Sequence, residues 1–184
     1  YRFDVEAPLI AKSRKAGNFV IIRVDANSER MPLTIADADT EKGTITLVVQ
    51  KVGLSSTKLC NLNEGDEIHD VVGPLGNPTH IENFGTVLCA GGGVGVAPML
   101  PIIKALKAAG NRVLSVIAGR SKDLVIMEDE VRASSDELII MTDDGSYGEK
   151  GVVTVGMEKL IQQEHIDKAF AIGPPIMMKF CCLL

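Results

Sequence analysis

Tryptophan is absent from this 184-residue chain and aromatics make up only 4% of it, so a core must be built from Val, Ile, Leu, Ala and Gly. That is the packing set of many α/β nucleotide domains. There are four cysteines, Cys60, Cys89, Cys181 and Cys182, and no CxxC pair, which excludes a readable zinc site or a complete iron–sulfur site. Cys89 lies in an apolar run and reads as a small buried hydrophobe. Cys181 and Cys182 are sequence neighbours, badly placed to ligate one metal together, so no metal ligand is assigned. The pattern fits a reducing, cytoplasmic compartment better than a disulfide scaffold.

Positive charge is also scarce. The 19 Lys and Arg against 24 Asp and Glu leave a net −5 with no basic block, which argues against nucleic acid as a partner. One uncharged run, 86–103, is long enough to suggest a membrane span, but it holds four Gly and two Pro. A strand, a turn and a buried helix explain it better, so no membrane partner is expected. No signal-peptide pattern opens the chain. Residues 1–6 already alternate like a strand, and the chain closes on Cys-Cys-Leu-Leu. Both ends are expected to be cuts through a longer protein.

What is present changes rhythm partway along. Up to about residue 80, short strands are expected at Arg2–Glu6, Phe19–Val24, Leu33–Ala36, Thr44–Lys51 and Glu67–Val72, punctuated by Gly17, Asn27, Gly43, Gly53 and Gly65. This predicts a small antiparallel β-barrel. From about residue 84, apolar strands alternate with helical spacing. The expected elements are Thr86–Ala90 (strand), Pro98–Ala109 (helix), Val113–Ala118 (strand), Leu124–Ala133 (helix), Glu137–Thr142 (strand), Val155–Gln163 (helix) and Ala169–Ile172 (strand). Gly110-Asn111 reads as a helix stop. Such alternation means a parallel α/β sheet. The domains are set at 1–82 and 83–184, with the boundary within 77–84.

The chemistry is expected in loops. Gly91-Gly92-Gly93-Val94-Gly95-Val96-Ala97-Pro98 lies between the first parallel strand and its helix. Glycines there let the backbone approach a pyrophosphate, and the helix N-terminus offers free N–H groups. Pro98 costs nothing near a helix start and takes the last glycine's place of the GxGxxG string. Gly119-Arg120-Ser121-Lys122 follows the next strand. A basic residue there leans toward a 2′-phosphate; the alternative is a solvated turn whose Ser121 or Asp123 caps a helix. Asp143-Asp144-Gly145 and Gly173-Pro174-Pro175 lie on the same rim, either framing a nicotinamide and ribose or serving only as turns. Upstream, Arg30-Met31-Pro32-Leu33-Thr34 puts an Arg and a hydroxyl on one face of an extended segment, suited to a diphosphate and a flavin ring edge. Gly53-Leu54-Ser55-Ser56-Thr57 could cradle the same diphosphate.

In this order the motifs resemble the ferredoxin-reductase-like flavoprotein superfamily, over nearly the whole chain. Arg30–Thr34 is similar to its Arg-x-x-Ser/Thr flavin motif, Ser55 and Ser56 to its second diphosphate loop, Gly91–Pro98 to its GGxGxxP loop, and Gly173-Pro174 to its late Gly-Pro. The resemblance is strongest to the small subunits of NADH-dependent reduced ferredoxin:NADP oxidoreductases, also called sulfide dehydrogenase β subunits. It rests on Arg-x-Pro-Leu-Thr, Gly73–Pro78, Thr142–Gly148 and Gly173–Met178. Dihydroorotate dehydrogenase electron-transfer subunits are near relatives.

The resemblance implies an FAD-binding β-barrel with its first strand truncated, followed by a nicotinamide-binding α/β domain. FAD would contact Arg30, Pro32, Leu33, Thr34, Val49, Gln50, Ser55 and Ser56, with Thr34 at the reactive edge in the catalytic role. NAD(H) or NADP(H) would contact Gly92, Gly93, Val94, Gly95, Pro98, Gly119, Arg120, Asp143, Asp144, Gly145, Gly173, Pro174 and Met177. It further implies a 2Fe-2S cluster in a C-terminal segment of the full-length protein, whose ligands Cys181 and Cys182 do not match. Electrons would pass to a larger flavoprotein/iron–sulfur subunit in a heterodimer, and to ferredoxin indirectly.

Three departures bear on this. Ala16-Gly17-Asn18-Phe19 stands where Pro-Gly-Gln-Phe is usual. Ile172 replaces the Cys that precedes Gly-Pro in plant-type members, as in the subgroup. The subgroup's use of NADH opposes the Arg120 argument for NADPH. Two rival functions are the electron-transfer subunit of a dihydroorotate dehydrogenase and a non-catalytic nucleotide-binding assembly subunit.

Overall fold

The computed structural model describes residues 1–184, which fold as two compact units, Tyr1–Thr79 and His80–Leu184. The first holds β1 (Arg2–Glu6), α1 (Pro8–Ser13), β2 (Phe19–Arg23), β3 (Met31–Asp39), β4 (Thr44–Val48), α2 (Leu54–Cys60) and β5 (Asp70–Leu75). Its five strands form an antiparallel sheet in the order β1-β4-β3-β2-β5. Alternation sets the inner face. Val20 and Ile22 of β2, and Ile45 and Leu47 of β4, are fully buried, and with Ile35, Ile10 and Ala11 they form one apolar core. Each such aliphatic side chain contributes about 2 kcal/mol by leaving water.

Strand β3 is longer than the expected Leu33–Ala36, and β4 ends at Val48 rather than Lys51. Three further features of this unit differ from the sequence-based expectation. Helix α1 was not expected: six residues opening on Pro8 are too short to display a period. The segment 53–57, expected as a loop, is instead the N-cap and first turns of α2, with Gly53 as cap. Strand β5 runs to Leu75 rather than ending at Val72, because Pro74 is tolerated at the sheet edge.

The second unit holds β6 (Thr86–Gly92), α3 (Val96–Ala108), β7 (Arg112–Gly119), α4 (Glu128–Ser134), β8 (Glu137–Thr142), β9 (Glu149–Lys150), α5 (Val153–Gln163), β10 (Lys168–Ile172) and α6 (Pro175–Cys181). All five strands are parallel, in the order β10-β6-β7-β8-β9. Leu88, Ala90, Leu114, Val116 and Met141 of the sheet bury against Val153, Met157 and Leu160 of α5. Helix α3 buries Met99, Leu100, Ile103 and Leu106. Helix α4 starts at Glu128 rather than Leu124, because Met127 sits in the left-handed region (φ 56°) and breaks the helical path. Glu128, Asp129 and Glu130 then fill its first turn, where acids favour the helix dipole. No helix is long and apolar enough to cross a membrane.

Asn111, read from sequence as a stop signal, also holds the start of this unit. Its Oδ1 accepts the N–H groups of Phe84 (2.7 Å) and Gly85 (3.2 Å). Its Nδ2 donates to the carbonyls of Glu82 (2.8 Å) and Leu106 (2.9 Å).

Candidate functional site

Because the strands of the second unit are parallel, their carboxyl ends share one edge. The turns after β6, β7, β8 and β10 therefore lie along one rim, where α/β sheets bind ligands. Strand β6, flanked by β10 and β7, runs to Gly92 rather than the expected Ala90. The glycine string therefore begins in its last two residues, Gly91 and Gly92, and leads through a 3₁₀ turn into α3. Its glycines have different reasons to be there. Gly93 has φ +56° and open space where a side chain would project. Gly95 is buried because β10 crowds it: an added Cβ would lie 2.5 Å from the Ile172 carbonyl oxygen. Gly92 has ordinary extended backbone (φ −121°), but the Met177 thioether occupies the space its side chain would need. Gly173 is backed by the same methionine, with Met177 Sδ 2.7 Å from its would-be Cβ. Gly93 and Val94 are therefore the residues of this loop a ligand can reach, and Gly92 and Gly95 act by what they leave room for. Pro98 is the third residue of α3, where its missing N–H has no intrahelical partner to lose.

The turns after β7 and β8 are tied together. The N–H of Asp143 donates to Gly119 O (3.1 Å) and that of Asp144 to Arg120 O (3.2 Å). The Lys122 N–H donates to Ser146 Oγ (2.8 Å). The structure thus brings Arg120 together with Asp143 and Asp144, all three exposed. Ser121 does not cap a helix with its side chain: its hydroxyl donates to Asp123 Oδ1 (2.6 Å), and only a 3₁₀ turn follows. Gly145 needs glycine for its φ of +75°. Bonds from Ser146 hold the Asp144 carboxyl below the usual range. Sequence reasoning missed Glu128, which accepts from the Tyr147 phenol (2.9 Å) and pairs with Arg132 (2.8 Å). That contact raises the Tyr147 pKa, while Arg132 lowers that of Glu128.

In the first unit, Arg30 directly precedes β3, and its side chain is 61% exposed. Along β3, Leu33 turns toward the apolar core beside buried Ile35, whereas Pro32 is exposed and Thr34 half-buried. Arg30, Pro32 and Thr34 therefore alternate with the core-facing residues. Ser55 joins this group through Glu29, whose carboxylate accepts its hydroxyl (3.3 Å). The Ser56 hydroxyl is taken up locally, accepting from the N–H groups of Val52 (3.1 Å) and Gly53 (2.8 Å). Val49 is buried among Leu59 and Cys60, and Gln50 is exposed. The segment carrying Arg30 is further held by Lys58, which bonds Asp25 (2.8 Å) and Ser28 (3.3 Å) and, by its hydrogen bond, draws the Asp25 pKa down to about 2. No group of three or more His, Cys, Asp or Glu side chains forms a metal-binding cluster.

No protein-family model matches the chain. A curated protein of Thermotoga maritima, named as a homolog of the dihydroorotate dehydrogenase B (NAD(+)) electron transfer subunit, is 50% identical over 183 residues. That match covers 100% of this chain and 64% of the relative's length, so the chain spans less than two thirds of it. The dihydroorotate dehydrogenase B electron transfer subunit of Fusobacterium nucleatum is 32% identical, over 97% of this chain and 71% of its own. A solved structure, described as the NADH-dependent reduced ferredoxin-NADP oxidoreductase and its flavin-based electron bifurcation, superposes with a TM-score of 0.93. It is 47% identical, over 99% of this chain and 66% of that one.

Proposed function

Since the chain belongs to the family of dihydroorotate dehydrogenase B electron transfer subunits, we propose that it is the electron-transfer flavoprotein part of an NAD(P)H-dependent oxidoreductase. FAD belongs to the antiparallel half (1–82) and NAD(P)H to the parallel half (83–184). The observation that carries this reading is Gly93, a reachable left-handed glycine with open space above its Cα, at the carboxyl edge of a parallel sheet and just ahead of a 13-residue helix.

The residues present fit both cofactors. The backbone of Gly93 and Val94 suits a pyrophosphate, because it is reachable, has no side chain crowding Gly93, and lies at the positive end of the α3 dipole. Arg120 suits a 2′-phosphate, and Asp143 and Asp144, on the neighbouring turn, suit ribose hydroxyls. In the other half, Arg30 offers a guanidinium to a diphosphate and Thr34 a hydroxyl to the flavin ring edge. When bound, the two cofactors supply the hydride and electron chemistry themselves. The chain's residues bind and orient, and no side-chain acid, base or nucleophile is required.

Within this reading, the electrons go on through an iron–sulfur cluster of the longer protein to a larger catalytic subunit of the ferredoxin:NADP oxidoreductase type. The names of the relatives support a dihydroorotate dehydrogenase partner as well, and an assay with each large subunit separates the two. The test of the core reading is spectroscopic. The purified protein should show flavin absorbance, or gain it with added FAD, and should bleach anaerobically with NADH or NADPH. A colourless protein that takes up no FAD and responds to neither nicotinamide overturns it and favours a non-catalytic assembly role.

A further inference from the structure

Arg30, Arg23 and Asp70 lie side by side across three strands. Arg23 ends β2 and is in register with Asp70, which begins β5. On the other side of β2, Ile22 is in register with Met31 of β3, and Arg23 and Arg30 are the residues just beyond that pair. Two guanidinium groups thus meet on neighbouring strands, which like-charge repulsion disfavours. One carboxylate oxygen answers both: Asp70 Oδ2 lies 2.8 Å from Arg23 Nε and 3.7 Å from Arg30 Nη2. Its position is a compromise between them, since Arg23 Nε is buried and within ion-pair distance yet lacks an aligned hydrogen bond. The trio keeps a surplus positive charge, the balance an anion site needs.

The backbone ahead of Arg30 is fixed separately, through Lys58 with Asp25 and Ser28 and through Ser55 with Glu29. What Asp70 adds is a hold on the guanidinium itself, at the end of a side chain that is otherwise mostly exposed. Resting on the reading of Arg30 as a flavin diphosphate ligand, we infer that Asp70 is a positioning residue, which holds the Arg30 guanidinium ready for the diphosphate while Arg23 fixes Asp70. A guanidinium already held has less rotamer freedom to lose on binding, so affinity rises without any new contact to the ligand.

The test is FAD binding to the apoprotein, followed by flavin fluorescence, for Asp70→Asn, Asp70→Glu, Arg30→Ala and the Asp70→Asn/Arg30→Ala double variant. Asp70→Asn is expected to weaken FAD by up to about tenfold, and Asp70→Glu to recover part of the loss. In the Arg30→Ala background, Asp70→Asn should cost nothing further, because the group it positions is gone. A penalty that persists undiminished in that background marks Asp70 as a general support of the sheet and overturns the inference, as does unchanged affinity in Asp70→Asn. If Arg30→Ala alone leaves FAD affinity intact, the diphosphate assignment itself fails and the inference falls with it, so that arm tells the two failures apart. Should Asp70→Asn not fold, Asp70→Glu carries the same cycle: a loss that vanishes without Arg30 supports the inference, and one that remains overturns it.

Discussion

The Met177 thioether sits where a side chain on Gly92 would have to go, so a helix seven residues long, α6, closes the space beside the glycine loop. Gly92→Ala should destabilise the protein by about 1 kcal/mol, since the flexible Met177 thioether must swing aside to make room. The backbone there is extended and permits alanine, so the cost is steric alone. In a Met177→Ala background the penalty should largely disappear, measured by urea unfolding of the four proteins in a double-mutant cycle. Equal penalties in both backgrounds would show that the contact is not the cause.

Gly93 should behave in the opposite way. Nothing crowds it, so Gly93→Ala is expected to cost about 1 kcal/mol, from forcing a side chain into the left-handed region. Its larger effect should be on NAD(P)H affinity, since the new methyl projects into open space on the ligand side. Nicotinamide titration alongside thermal unfolding separates the two, and weakened folding with unchanged nicotinamide affinity counts against the proposed phosphate site.

Arg120→Ala distinguishes the cofactors. If the exposed guanidinium meets a 2′-phosphate, the variant should lose NADPH affinity by about tenfold or more and NADH hardly at all, the scale of one charge-assisted contact. Equal losses refute the 2′-phosphate role. The acids on the neighbouring turn, Asp143 and Asp144, would then leave the rim suited to a free ribose.

Asp136 predicts acid behaviour. Its carboxylate accepts from Lys107 (2.6 Å) and from the Val113 N–H (2.8 Å), and the lysine bond, then the backbone bond, lowers its pKa. A depressed carboxyl contributes stability that is present above its unfolded pKa and lost as pH falls through its folded value. Asp136→Asn should therefore be less stable than the parent at pH 7, by about 1 kcal/mol for a partly exposed pair. The two proteins should converge in urea titrations as the pH is lowered below the unfolded carboxyl range. A difference that stays constant with pH would assign the effect to packing.

The cysteines should separate by access. Cys60, Cys89 and Cys181 are buried and Cys182 is exposed. One thiol is expected to react with a disulfide reagent in the native protein, and none in Cys182→Ser, while denaturant releases the rest. Burial pushes the Cys89 thiol up to about 12. Its contribution to stability is therefore full below the unfolded thiol pKa and is lost as pH rises from there through the folded value of about 12. Rapid native labelling of Cys89 would contradict this packing of β6.

The sequence alone determined the two architectures, because both are written in local periodicity. Strand β8 falls on the expected residues Glu137–Thr142, and β6, α3 and α5 lie within a few residues of expectation. It also singled out the glycine loop and the Arg30–Thr34 segment, because the residues of each are contiguous in the chain. It missed α1, α2, α6 and β9, which run six, seven, seven and two residues and are too short to show a repeat. What only the tertiary structure decided is which distant residue each motif meets: Met177 beside Gly92, Asp70 between Arg23 and Arg30, and the Asn111 amide on Phe84. The physical reason is register. Periodicity says which way a side chain points, but strand pairing and helix packing choose its partner, and those choices bring together residues dozens of positions apart.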